Sequence, residues 1–166
     1  YVGNLGIHGS YAANTAISEC DVLFSIGVRF NDRITGKVNE FAKKATIIHV
    51  DIDPASISRN IVVDIPIVAD AKNAIVALLE KAPKYDFADW KKQIDSWKAE
   101  HPIYSIDGAK SKVTPYSIIQ EINHVFEDAV ITTDVGQNQL WTTQFLELTD
   151  KKQMLTSGGL GTMGYG

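Results

Sequence analysis

A short apolar run, Val22-Leu23-Phe24-Ser25-Ile26, ends on Gly27 and has the length and composition of a buried β-strand. A second run, Ile47-Ile48-His49-Val50, ends on Asp51 and predicts a second strand. The run Ile65-Pro66-Ile67-Val68 predicts an edge strand, because proline has no N–H to give to a ladder. Residues 71–82 place their apolar side chains on one helix face. Strands that alternate with helices at this interval indicate an α/β fold with parallel pairing.

The second half of the chain repeats this alternation after a different middle segment. Residues 84–100 carry charge of both signs and bring two tryptophans to one face of an amphipathic helix. Thr114-Pro115 opens a further helix, with threonine as N-cap and proline at the first helical position. Strands at 129–134 and 153–156 flank a helix that begins near Gly136. We interpret residues 84–113 as a connector between two lobes; a long crossover inside one domain is the alternative.

Composition excludes several classes of protein. The 166 residues are 45% hydrophobic, enough for a buried core, and their net charge of −4 comes without a basic stripe, which argues against a nucleic-acid partner. No apolar stretch approaches the ~20 residues of a membrane span. The single cysteine, Cys20, indicates a reducing compartment such as the cytosol. The four histidines are scattered, so no zinc site with local ligand spacing is expected.

The two ends of the chain suggest that it belongs to something longer. It opens on Tyr1 rather than methionine, and five of its last nine residues are glycine. Glycine offers no side chain to hold a terminus down. We therefore expect a piece of a longer protein, with residues 158–166 loosely held.

Several candidate binding segments lie where strands are predicted to end, the position at which open α/β sheets bind ligands. The glycine-rich loop 3–9 precedes a helix and could let a backbone approach an anion or a flat ring; a plain turn is the alternative. The segment 27–33 brings two arginines to a strand end, to hold a phosphate or carboxylate or simply to pair with surface acids. Asp51 suits a ribose hydroxyl or a turn cap, and Asp70 suits a helix N-cap.

Two more candidates lie in the second lobe. Residues 134–139 form a strand-to-helix turn with a glycine and amide side chains, which could present N–H groups to a diphosphate or simply cap the helix. Residues 159–164 match the G-x-G-x-x-G pattern of dinucleotide-binding proteins. That pattern alone is weak, and the acid expected about 20 residues later would fall beyond residue 166.

Taken together, five ordered motifs resemble the catalytic subunits of the acetolactate synthase (acetohydroxyacid synthase) family, which use thiamine diphosphate. These motifs are Leu5-Gly6-Ile7-His8-Gly9-Ser10, Gly27-Val28-Arg29-Phe30-Asn31-Asp32-Arg33-Ile34-Thr35-Gly36, His49-Val50-Asp51-Ile52-Asp53-Pro54, Val135-Gly136-Gln137-Asn138-Gln139-Leu140-Trp141 and Thr156-Ser157-Gly158-Gly159-Leu160-Gly161-Thr162-Met163-Gly164. The resemblance spans nearly the whole chain.

The resemblance implies two cofactor sites. Residues implied to contact FAD are Gly6, His8, Gly9, Gly27, Val28, Arg29, Phe30, Asp51, Ile52 and Asp70. Asp32 and Arg33 would face the channel to the active site. Thiamine diphosphate would contact Gly136, Gln137, Asn138, Gly161 and Met163, with Met163 as the apolar wedge that bends it. The family's catalytic glutamate and its magnesium ligands would lie outside these 166 residues, so we expect no metal ligand and no activity from this chain alone.

The resemblance also implies a domain plan and a reaction. Residues 1–83 would be the end of a Rossmann-like central FAD-binding domain, 84–113 the connector, and 114–166 the truncated start of the C-terminal thiamine-diphosphate lobe. The family condenses two 2-oxoacids, pyruvate with pyruvate or 2-oxobutyrate, with loss of carbon dioxide in branched-chain amino-acid biosynthesis. A homodimer or tetramer, a regulatory small subunit and, in a bacterium, a cytoplasmic location would accompany it.

Three positions depart from the family pattern. Many members have histidine in place of Asn138, aspartate in place of Asn31 and glycine in place of Ala69. A nicotinamide dehydrogenase is a weaker alternative, because it leaves residues 29–33 unexplained. The stronger alternative is a nucleotide-binding module, for FAD or ADP, of another thiamine-diphosphate decarboxylase or carboligase.

Overall fold

The computed structural model describes residues 1–82, 84–104 and 113–166, which form two compact units, Tyr1–Pro102 and Ile103–Gly166. Pro83, with which the sequence ends the helix predicted over residues 71–82, and residues 105–112 of the predicted connector lie outside the described residues. The connector's helix belongs to the first unit. Among the described residues, no helix combines the length and apolarity needed to cross a membrane.

The first unit alternates helices and strands. Its elements are α1 (Tyr11–Glu19), β1 (Val22–Ile26), α2 (Asp32–Thr35), a 3-10 turn (Val38–Glu40), β2 (Thr46–Asp51), β3 (Ile65–Val68), α3 (Ala71–Lys81) and α4 (Ala88–Glu100). All three predicted strands are confirmed, as are the helices that begin near Ser10 and Ala71. The short helix α2 has no apolar period, and it forms because Asn31 caps it by accepting a hydrogen bond from the Ile34 N–H at 3.3 Å.

The three strands form a parallel sheet in the order β1-β2-β3. Ile26 pairs with Val50 and Asp51 pairs with Val68, so all three strands end at one edge. This confirms the predicted α/β class and the edge position of the proline-containing strand. The hydrophobic core of this unit includes side chains of β1 and β2 and consists of Leu23, Phe30, Ala42, Ile47, Ile61 and Val63.

Helix α4 confirms the amphipathic helix expected in the middle of the chain. Trp90 and Trp97 meet edge to face with ring centroids 5.6 Å apart. Tyr11 on α1 lies 3.8 Å, centroid to centroid, from His101 at the end of α4. The two tryptophans are half-buried, and α4 packs against α1.

The second unit contains α5 (Pro115–Val125), β4 (Ala129–Thr133), α6 (Gln137–Phe145) and β5 (Lys152–Thr156). Thr114 is the N-cap predicted for α5, and its side chain and that of Ser117 exchange hydrogen bonds with each other's backbone N–H. Strands β4 and β5 are parallel, with Thr133 opposite Thr156. An aromatic cluster joins α5 to α6, with Tyr116 and Phe145 ring centroids 5.1 Å apart.

Candidate functional site

The first candidate site lies at the carboxyl edge of the three-stranded sheet. There the Gly27 N–H donates to the Val50 carbonyl at 2.9 Å, and the Ala69 N–H donates to the Asp51 carbonyl at 3.1 Å. These bonds bring together the loops that follow all three strands. Asp51, Asp70 and the segment that begins at Gly27 therefore share one edge, where ligands bind in open α/β sheets.

Asp51 presents a carboxylate at this edge. One oxygen accepts a hydrogen bond from the Asp53 N–H at 2.9 Å, so the side chain holds the start of the following turn. Only 12% of the Asp51 side chain is exposed, whereas the neighbouring Ile52 is 71% exposed. The Asp51 carboxylate can accept a hydrogen bond from a ligand hydroxyl group, and the exposed Ile52 side chain can pack against a flat ring of the same ligand.

Asp70 is the N-cap of α3, as its position predicts. Its Oδ1 accepts a hydrogen bond from the Asn73 N–H at 3.1 Å. The side chain is exposed, and capping by one oxygen does not prevent the other from accepting a ligand hydrogen bond.

The glycine loop before α1 packs against the segment after β1. The Ile7 N–H donates to the Arg33 carbonyl at 2.9 Å, and the Asn14 side chain exchanges two hydrogen bonds with the Gly6 backbone. A Cβ on Gly6 would lie 2.9 Å from the Ile34 Cα, and one on Gly9 would lie 2.7 Å from the Leu5 carbonyl carbon. Glycine is thus required here because two stretches of backbone approach closely.

One residue of the glycine loop and two charged residues at the start of α2 are exposed. His8 is exposed, and the cap of α1 is Ser10, whose Oγ accepts from the Ala13 N–H at 3.0 Å. Ser10, not the neighbouring His8, therefore caps this helix. Asp32 and Arg33 form an ion pair at 3.9 Å in which both side chains are more than 70% exposed.

The segment 27–33 divides its side chains between core and surface. Phe30 is only 4% exposed and packs edge-on to His49, with centroids 5.0 Å apart, while Val28 is half-buried. Phe30 adopts a φ of 47°, a left-handed conformation that costs energy in a bulky residue. This backbone geometry turns the ring into the core and leaves the adjacent Arg29 exposed at the surface.

A groove of about 300 Å³ adjoins Arg29. Its lining consists of Arg29, Asn31, Ser56, Arg59 and Asn60. The Asn60 side chain donates to the Arg29 carbonyl at 2.8 Å and ties the two walls together. Two guanidinium groups with amide and hydroxyl groups around them can bind an anion such as a phosphate.

Sequence reasoning did not find the second wall of this groove. Arg59 and Asn60 follow a turn that carries no recognised motif, and they are about 30 positions from Arg29. A basic residue followed by asparagine after the Asp51 turn was the one available signal. Ser58, which precedes them, also adopts a left-handed φ of 57°.

The second candidate site lies at the carboxyl edge of β4 and β5. Gly136 is the N-cap of α6 with a φ of 133°, and no side chain of the described residues caps this helix. The first-turn N–H groups at Gln137 and Asn138 are therefore available to an anion. The Gln139 side chain donates to Thr156 Oγ1 at 2.7 Å and joins this turn to the end of β5.

The glycine run after β5 folds back onto the same edge. The Gly161 N–H donates to the Ser157 carbonyl at 2.8 Å, and the Gly164 N–H donates to the Asp134 carboxylate at 2.9 Å. The Thr162 N–H also donates to Ser157 Oγ at 3.0 Å, so polar groups at both strand ends bind N–H groups of the loop, while residues 158–166 are all exposed and their loose attachment stays a prediction. Met163 is 82% exposed and presents an apolar side chain at the surface. The structure thus brings the five predicted thiamine-diphosphate residues to one edge. Within the described residues, no cluster of His, Cys, Asp or Glu is suited to hold a metal ion.

Sequence comparison assigns both units. The family model of the thiamine pyrophosphate enzyme central domain matches residues 1–78, and that of the C-terminal TPP binding domain matches residues 134–166. Two segments of the chain thus match, in order, two domains of thiamine pyrophosphate enzymes. The two matched regions contain the two candidate edges described above.

Individual relatives narrow this assignment. Over 99–100% of its length the chain is 44% identical to the acetolactate synthase large subunit of Cyanidium caldarium and 43% identical to the probable acetolactate synthase large subunit of Methanocaldococcus jannaschii. It is 38% identical, over 99% of its length, to the acetolactate synthase isozyme 3 large subunit of Escherichia coli. The chain spans 29–30% of the length of these relatives. The family resemblance noted in the sequence is thus confirmed.

Proposed function

We propose that this chain is a segment of an acetolactate synthase large subunit, which joins two 2-oxoacids with loss of carbon dioxide. The observation that carries the proposal is that 37–44% identity to acetolactate synthase large subunits extends over essentially the whole chain, across both candidate sheet edges. The first edge would hold FAD and the second would hold thiamine diphosphate. Because the reaction involves no net oxidation, FAD would have a structural role.

The first edge offers chemistry that suits an FAD. The groove lined by Arg29 and Arg59 supplies positive charge for the diphosphate. Asp51 supplies a carboxylate for ribose hydroxyls, and the exposed Ile52 supplies an apolar surface for a ring. The glycine loop 3–9 would lie along the flavin. Asp32 and Arg33, which follow β1, would face the substrate channel.

The second edge would hold thiamine diphosphate, which when bound supplies the carbon nucleophile for the 2-oxoacid. The uncapped N-terminus of α6 would hold its diphosphate through backbone N–H groups. The Gly161 carbonyl would orient the aminopyrimidine, and the exposed Met163 would give it an apolar support. We assign the magnesium ligands and the catalytic glutamate to parts of the enzyme outside these residues.

The proposal extends to partners. The relatives are named large subunits, which supports a smaller, regulatory partner subunit. We further propose that the enzyme is at least a homodimer, since the family builds its thiamine sites between two subunits, and that it acts in the cytoplasm if the source is a bacterium. The substrates would be pyruvate and 2-oxobutyrate.

A nucleotide titration of the complete protein tests the assignment of the first edge. We expect FAD to bind, with quenching of flavin fluorescence, and to bind more tightly than ADP. The variant Arg59→Ala should weaken FAD binding by about tenfold, the effect of removing one charge-assisted contact. The control Lys43→Ala removes a cation that pairs with Glu40 and lies outside the groove, so it should leave FAD binding unchanged.

Two results would contradict this assignment. Binding of ADP or coenzyme A as tight as that of FAD would favour the nucleotide module of another thiamine-diphosphate decarboxylase. Equal FAD affinities of the wild type and Arg59→Ala would show that the groove is not part of the flavin site.

A further inference from the structure

Asp134 connects two loops that lie 30 residues apart in the chain. Its Oδ1 accepts a hydrogen bond from the Val135 N–H at 2.6 Å, and both of its oxygens lie 2.9 Å from the Gly164 N. Val135 opens the turn to α6, whereas Gly164 belongs to the glycine run after β5. One half-buried carboxylate therefore holds both loops.

The backbone around this carboxylate is closely packed. A Cβ on Gly166 would lie 2.5 Å from the Asp134 N and 2.6 Å from the Thr133 carbonyl carbon, so the glycine run rests directly on the end of β4. Thr133 Oγ1 and Thr156 Oγ1 are hydrogen bonded at 2.9 Å just behind it. Asp134 thus directly follows a strand whose end is paired with the neighbouring strand by backbone and side-chain hydrogen bonds.

The chemistry of the contact favours a carboxylate over an amide. Val135 and Gly164 both offer N–H donors, and an ionised carboxylate has only acceptor sites. Asparagine keeps one acceptor oxygen, but its NH₂ group would replace the second with a donor that faces the Gly164 N–H. Hydrogen bonds to an ionised oxygen are also stronger than those to a neutral one.

We propose that Asp134 is a positioning residue that fixes the glycine run of residues 158–164 against the α6 turn and so sets the distance between the two halves of the thiamine-diphosphate site. This inference rests on the proposed function for its ligand but not for its structural part. Within the described residues, the Asp134 carboxylate accepts hydrogen bonds from backbone N–H groups alone. It would therefore act on the cofactor through Gly136–Asn138 on one side and Gly161–Met163 on the other.

Hydrogen exchange tests the structural part without any cofactor. In the complete protein, Asp134→Ala should speed amide exchange in a peptide that covers residues 157–164, while exchange in β4 stays slow. Asp134→Asn should give a smaller increase, because it keeps one acceptor. The control Asp128→Asn changes an exposed acid at the opposite end of β4 and should change neither peptide.

Unchanged exchange of residues 157–164 in Asp134→Ala would overturn the inference. If Asp134→Ala also speeds amide exchange in β4, the near-isosteric Asp134→Asn is the deciding variant. Faster exchange confined to the glycine run in Asp134→Asn supports the inference, and unchanged exchange there overturns it.

Titration with thiamine diphosphate then tests the functional part. In Asp134→Ala the half-saturating cofactor concentration should rise by about tenfold or more, with turnover at saturating cofactor and the KM for pyruvate close to those of the wild type. An unchanged half-saturating cofactor concentration in Asp134→Ala, whether or not turnover falls, would overturn the functional part of the inference. Wild-type protein that binds no thiamine diphosphate would instead overturn the proposed function, and the exchange result on Asp134 would still stand.

Discussion

The imidazole of His49 is completely buried with its Nε2 3.8 Å from the Asp51 carboxylate. Among the described residues, neither of its ring nitrogens has a hydrogen-bond partner. The ring instead packs edge-on to Phe30. A buried imidazole thus lies beside the carboxylate that the proposed function assigns to a ribose, and within the described residues its two ring nitrogens make no hydrogen bond.

Replacement of this histidine should be well tolerated. His49→Leu removes two unsatisfied buried nitrogens at similar volume, a gain that offsets the lost ring contact with Phe30. We expect the free energy of unfolding to stay within about 1 kcal/mol of the wild type or to increase. Urea denaturation followed by circular dichroism measures this change.

The control is Ile47→Ala on the same strand, which opens a cavity in the core and should cost about 3 kcal/mol. A loss in His49→Leu as large as that of Ile47→Ala would show that the imidazole stabilises the fold through a bond to Asp51.

The packing of the glycine loop gives a second prediction. Gly6 and Gly36 both have positive φ, 91° and 57°, but only Gly6 faces neighbouring backbone. Gly36→Ala should therefore cost only the strain of its backbone conformation, φ 57° and ψ −121°, about 1–3 kcal/mol. Gly6→Ala carries a positive φ and must also separate the loop from Ile34, so we expect it to lower stability in thermal unfolding by about 1–3 kcal/mol more than Gly36→Ala does. Equal losses in the two variants would contradict the close approach of the two segments.

Cys20 gives a prediction that depends on pH. Burial raises the pKa of its thiol, and the nearby charge of Asp21 raises that pKa further. Since the thiolate is the reactive form, iodoacetamide at pH 8 should modify Cys20 more slowly in the folded chain than in urea. The difference should narrow as pH rises through the folded-state pKa, because both thiols are then ionised. Asp21→Asn should speed the reaction of the folded chain; equal rates in folded and unfolded wild type would contradict the burial.

The start of α5 gives a fourth prediction. Thr114 accepts a hydrogen bond from the Ser117 N–H at 3.1 Å, so Thr114→Ala should lower the free energy of unfolding by about 1 kcal/mol. Ser18→Ala is a suitable control, because the Ser18 hydroxyl donates back to the Asn14 carbonyl of its own helix and caps no helix end. Guanidinium denaturation of both variants makes the comparison, and a change no larger in Thr114→Ala than in Ser18→Ala would contradict the capping role.

The regular elements could be predicted because local signals determine them. The strand from Val22 to Ile26 is a continuous apolar run bounded by glycine, and its observed bounds match the prediction. Proline at position 66 was compatible with an edge strand, and it lies in one. The N-caps at Asp70 and Thr114 depend on side chains within three residues of the helix start, so they too were readable from sequence.

Relationships between distant residues could not be predicted from the same signals. Arg59 joins Arg29 in one groove because parallel strands bring their following loops together, and a basic residue followed by asparagine is too weak a local signal to predict that. The Phe30 side chain enters the core because its backbone has a left-handed φ, and the sequence around Phe30 does not predict that conformation. The bond from Gly164 to Asp134 spans 30 residues, which is why the glycine run looked untethered in the sequence.

Acetolactate formation from pyruvate tests the central proposal most directly. We expect the complete protein to form acetolactate when thiamine diphosphate, magnesium and FAD are supplied and to stop when thiamine diphosphate is withheld. The 166-residue chain alone should form none under the same conditions. A complete protein that binds thiamine diphosphate but forms no acetolactate from pyruvate, or an isolated chain that forms it, would contradict the account.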